Sequence, residues 1–92
     1  MPLEDLMGLL QKTTDQLASQ IESTALDDGA YNRRFWSHWQ ELPPDMSIAA
    51  ANRECERECK ELYEVRAISG ALVESYRVKR DALVAILSAR AK

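Results

Sequence analysis

Two cysteines four residues apart, Cys55 and Cys59 in "ECERECKE", are the first side chains able to do chemistry. On a helix this spacing puts both thiols on one face. Two copies could bring such pairs together as a four-thiolate zinc site, or Cys55 could join two chains through a disulfide. A single pair lacks the second set of ligands that makes a zinc signature specific. Ile48 and Leu62 share the helical phase of the two cysteines, so the expected role is that of small hydrophobes in a core. His38 is the only histidine, and no serine, cysteine or carboxylate constellation around it spells a triad. No phosphate-binding loop is present either. The sequence therefore points to no catalytic residue, no metal and no cofactor, and the chain is read as a non-enzyme.

Recognition chemistry is better represented. The stretch "YNRRFWSHWQELPPD", Tyr31 to Asp45, holds both tryptophans, the phenylalanine, the histidine and two of the three prolines. On a helical wheel Tyr31, Phe35, His38, Trp39 and Leu42 cluster, which suits a corner where large rings are packed. Trp36 points away from that group. Tryptophan and arginine are enriched among interface hot spots, so Trp36, Arg33 and Arg34 are the candidate partner contacts near the turn.

These groups must be positioned by helices. Alanine, leucine, glutamate and arginine dominate, and all favour helix. Three glycines and three prolines are too few for a fold of many turns. Leu3, Leu6, Met7, Leu10, Thr14, Leu17, Ile21 and Ala25 follow the three-four spacing of an amphipathic helix. Gly29 and the aspartates before it weaken the helix interior, so a kink or a fresh start is expected between Thr24 and Gly29. Pro43 and Pro44 then enforce a turn, after which Asp45 or Ser47 can cap the next helix. From Met46 to Ala91 no proline intervenes. Gly70 is the weak point of that arm.

The expected fold is all-α: one domain over 1–92, with a helical arm over 3–41, a turn over 42–46 and a return arm over 47–91. At 1.5 Å per residue the arms would be about 58 and 69 Å long, so they match as an antiparallel, coiled-coil-like hairpin. Past Leu62 the apolar arc of the return arm widens to about 160°, more than one seam requires. Val65, Ile68, Leu72, Tyr76 and Leu83 are therefore the candidate apolar face for a homodimer or another partner. Two solutions fit: pairing of hairpins into a four-helix bundle, which is preferred, or folding back at Gly29 and Gly70.

The net charge of −3 is unevenly placed. Residues 1–45 carry eight acids and three bases, or −5, and residues 46–92 carry seven acids and nine bases, or +2. The basic tail, with Arg77, Lys79, Arg80, Arg90 and Lys92, allows a second reading as a nucleic-acid-associated helix, although the whole chain is not the strongly basic domain such a role favours. The longest strongly apolar run, "ALVAIL", is far short of the ~20 residues that span a bilayer. The acids in "MPLEDLMGLL" do not suit a secretory signal, so a cytoplasmic location is expected. The length, the hairpin and a tryptophan near the turn resemble the small secreted WXG-type hairpins of bacteria. The Trp-x-Gly of that group is absent: Ser37 and His38 follow Trp36, and Gln40 and Glu41 follow Trp39. No property is carried over. The leading expectation is a small helical adaptor, regulator or inhibitor that binds another protein through helix faces.

Overall fold

The computed structural model describes residues 1–91 and contains three helices: α1 (Leu3–Glu41), α2 (Ile48–Glu58) and α3 (Lys60–Arg90). Helix α1 starts with Glu4 and Asp5 in its first turn, where carboxylates meet the positive end of the helix dipole. It ends where Leu42 turns extended (φ −76°, ψ 153°) ahead of Pro43, as the pre-proline restriction requires. The Ser47 hydroxyl accepts the Ala50 N–H at 3.2 Å and starts α2. The chain is thus an antiparallel hairpin, a rod of 66 × 18 × 15 Å.

A strict alternation of three- and four-residue steps builds the seam. On α1 the line Leu6, Leu10, Thr13, Leu17, Gln20, Thr24, Asp27, Tyr31, Arg34 and His38 is buried or half-buried throughout. On α3 the same holds for Leu62, Arg66, Ser69, Val73, Tyr76, Arg80, Leu83 and Leu87. This is the heptad pattern of a coiled coil. Its register is fixed by contacts along the whole length. Arg90 donates to the Met1 carbonyl at 2.6 Å, Ser69 donates to Asp27, Arg66 lies 3.7 Å from Asp28, and Arg34 pairs with Glu58.

The buried apolar side chains of the seam fall toward its two ends, with the Thr13 hydroxyl buried among them and donating to the Leu9 carbonyl at 2.8 Å, and its middle is polar. Leu6, Leu17, Val73 and Leu83 are buried near the chain termini, and Ala51, Cys55 and Cys59 near the turn. Between them stand Gln20, Thr24, Asp27, Arg66 and Ser69. A polar residue at such a position costs stability but specifies register.

Three sequence expectations change. The chain does not break at Gly29 or Gly70; α1 and α3 run through both. The irregularity falls at Cys59 instead (φ −98°, ψ 12°). The reason is phase: Ala51, Cys55 and Cys59 advance by two successive fours before Leu62 resumes the three-four alternation. Two fours drift around the helix in one sense, and the backbone adjusts where the pattern changes. The hydrogen-bond ladder still crosses this point, from Cys59 N–H to Cys55 O at 3.0 Å and from Tyr63 N–H to Cys59 O at 2.8 Å. The third change concerns α1. Met7, Thr14, Ile21 and Ala25 are exposed, because the seam follows Leu10, Thr13 and Leu17 into Gln20 and Thr24 rather than the more apolar line beside it.

Candidate interaction surface

The cysteines sit in the core. Both are free thiols and fully buried. Loss of water around them pushes both thiols above their ordinary values, only partly opposed at Cys59 by the nearby Arg34 guanidinium. A protonated thiol is neither a good nucleophile nor a metal ligand. Among the described residues no three His, Cys, Asp or Glu side chains are arranged to hold a metal ion.

The aromatic stretch forms one chain of rings at the corner. Tyr31 lies 5.9 Å from Phe35 and 6.1 Å from Tyr63, and Phe35 stacks with Trp39 at 6.2 Å. These rings are mostly half-buried rather than core. The Arg66 guanidinium sits 4.2 Å above Tyr31 and 5.2 Å from Tyr63, an arrangement that favours a cation over a ring face. Trp36 meets Phe35 edge-on at 5.2 Å but remains 56% exposed. Arg33 is exposed beside it, whereas Arg34 is committed to Glu58 across the hairpin. Of the contacts expected near the turn, Trp36 and Arg33 are exposed, with Trp36 also 5.6 Å from Trp39, and Arg34 is paired across the hairpin. The bond from Arg34 lowers the Glu58 carboxyl below the usual range, and Arg57 does the same to Glu54.

The predicted apolar face divides in two. Leu83 is buried and Tyr76 half-buried, because both lie on the three-four line that meets α1. The seam within the chain uses them. Val65, Ile68 and Leu72 are on other faces of α3 and exposed at 47%, 63% and 41%. The outer side of α3 carries a second line with the same spacing: Ile68, Ala71, Ser75, Val78, Ala82, Ala85 and Ala89. All of these are exposed, and none is charged. Leu72 and Ile86 flank it. Sequence reading missed Val78 and Ile86. The signal is present, since two superposed heptads produce a wide apolar arc, but an arc alone does not separate the two faces.

The back of α1 differs. Asp5, Lys12, Asp15, Glu22 and Arg33 are exposed there. The hairpin therefore has a charged back and an uncharged back. The bases of the C-terminal segment do not form a free patch: Arg77 lies 4.0 Å from Glu74, Arg80 lies 3.1 Å from Asp81, and Arg90 is bound to Met1. Lys92 lies outside the described residues. No helix among the described residues is long and apolar enough to cross a membrane. The chain matches no family model, and neither the curated proteins nor the solved structures searched contain a match.

Proposed function

We propose that the protein is a non-enzymatic interaction module, a helical hairpin that receives another helix on the outer face of α3. One observation carries this reading. Ile68, Leu72, Val78 and Ile86 are large, apolar and exposed on a face that has no charge on its central line between Ile68 and Ala89. Contiguous exposed apolar surface of this kind marks interaction sites, and a line of three- and four-residue steps is the pattern a partner helix reads. Trp36 and Arg33 offer a second, smaller contact at the opposite end of the rod. The buried thiols support the non-enzymatic part, since loss of water holds both in the protonated, unreactive form. Arg77 and Arg80 each stand near an acid of their own helix, which gives the nucleic-acid reading no support beyond the sequence.

The test is a photoreactive benzoylphenylalanine placed at Val78 and, as a control, at Asp15 on the charged back of α1. In the cells the chain comes from, illumination should give a discrete protein adduct from Val78 and none from Asp15. Equal, diffuse labelling from both positions removes the proposal.

A further inference from the structure

The charges beside the outer line of α3 say what covers it. Glu74 and Asp81 lie along one flank, and Lys79 lies along the other. Resting on the interaction reading above, we infer that the occupant is a second copy of this chain, with its α3 parallel to the first about a two-fold axis.

The argument is geometric. When two identical helices pair in parallel, the flank on one side of the seam faces the opposite flank of the other copy. Glu74 of each copy then meets Lys79 of the other, giving two symmetric ion pairs. Asp81, already beside Arg80, comes next to Ile86 of the other copy. When the same helices pair antiparallel, like flanks meet. Acids would face acids along one side, and Lys79 would approach Lys79 along the other. Like charges in such positions are destabilising. A parallel pair also stacks Ile68 on Ile68 and Val78 on Val78, with alanines between them that let the backbones approach. Leu72 and Ile86 close the sides.

Glu74 remains available for this role. Its side chain is 68% exposed, and a carboxylate that Arg77 approaches at 4.0 Å keeps lone pairs open to a second cation. Gly70 and Arg77 line the groove between α3 and α1, with Ile21, Thr24, Ala25 and Asp28, and are not consumed. Each hairpin keeps its own seam, so self-association needs no unfolding. The result is a closed pair rather than an open chain, because the contact is the same surface on both copies.

Light scattering on the full chain should give twice the 10.4 kDa of one chain. Val78→Glu should return the mass to one chain while leaving the circular dichroism helical, since Val78 is 61% exposed in its own hairpin. Lys79→Glu should weaken the pair roughly threefold, and Glu74→Lys combined with Lys79→Glu should restore it. Ala71→Cys should cross-link to its own copy under mild oxidation. The native chain, whose thiols are buried, should not. A native chain that stays at one mass throughout, or a pair untouched by Val78→Glu, overturns the second copy as occupant. A Val78 adduct of another protein would in that case leave the interaction reading standing. Cross-linking of Ala71→Cys only when mixed with Ala82→Cys or Ala89→Cys overturns the parallel orientation.

Discussion

His38 carries two ring nitrogens that are buried and without a hydrogen-bond partner among the described residues. The nearest carboxylate, Glu41, is 3.5 Å from Nδ1 and lacks hydrogen-bond geometry. Unsatisfied buried polar atoms cost about 1–3 kcal/mol. His38→Phe should therefore raise the urea midpoint by the equivalent of about 1 kcal/mol, and a lower midpoint would show that the imidazole is satisfied in solution. Trp36→Ala should change stability by less than about 1 kcal/mol, as expected of an exposed side chain. Trp39→Ala should cost clearly more, because its ring stacks within the corner. Glu54 and Glu58 contribute to the acid limb of stability, modestly because both ion pairs are solvent-exposed. Their carboxyls are held below the ordinary range by Arg57 and Arg34, so their contribution is present above the ordinary glutamate value of about 4.3. It is lost as pH falls further, through the lowered values. The buried thiols act at the other limb. Their raised values favour the fold below about pH 8.5, the ordinary cysteine value, and that contribution fades as pH rises through the folded values. Cys55→Ala should flatten the alkaline limb in a pH series of unfolding midpoints.

The polar middle of the seam governs the elements. Ser69 is buried and donates to Asp27. Ser69→Ala leaves a half-buried carboxylate without its donor and should cost about 1–2 kcal/mol in chemical unfolding. Replacing both, as Asp27→Leu with Ser69→Ala, should recover most of that loss. It should also permit slipped hairpins, visible as doubled backbone resonances, because the polar pair is what forbids a shift of register. Gly70 gives an opposite test. A Cβ added there meets nothing within 4 Å, and glycine is the poorest residue in a helix interior after proline. Gly70→Ala should stabilise by about 0.5–1 kcal/mol. At Gly29 the added atom meets the tip of Arg33 at 3.0 Å, so the gain should be smaller. The two arms and the turn were legible from periodicity and the two prolines. The irregularity at Cys59 was not, because glycine is the usual breaker and Gly70 lies only eleven residues further on. The real signal was the run Ala51, Cys55, Cys59, two fours in succession. The α1 seam was misread for a related reason: hydrophobicity favours Met7 and Ile21, but the partner helix brings Ser69 and Arg66, which call for Asp27, Thr24 and Tyr31 opposite.

The molecule as a whole is long for its size. Its radius of gyration is 20.0 Å, where a compact chain of this length would have roughly 12 Å. A rod of two helices buries few residues fully, which is why so much of its apolar surface remains outside. In solution scattering a parallel pair should keep the length near 66 Å and raise the radius only slightly above 20.0 Å, whereas end-to-end association would lengthen the rod. The candidate site was half legible. Its residues Ile68 and Leu72 were named from the sequence, but separating them from Leu83 and Tyr76 required knowing which line α1 occupies.

The closing contacts along the rod are separated by very different lengths of chain. Arg34 and Glu58 are 24 residues apart, Asp27 and Ser69 are 42 apart, and Met1 and Arg90 are 89 apart. Bringing distant segments together costs more entropy than bringing near ones together. The hairpin should therefore zip from the proline corner, with the tips joining last. Substitutions at Tyr31, Phe35 or Tyr63 should slow refolding, while those at Leu6 or Leu83 should leave refolding nearly unchanged and speed unfolding. During synthesis this has a direct effect. The corner is complete only when α3 begins to emerge, so α1 waits as an unpaired amphipathic helix for as long as the ribosome takes to make the return arm.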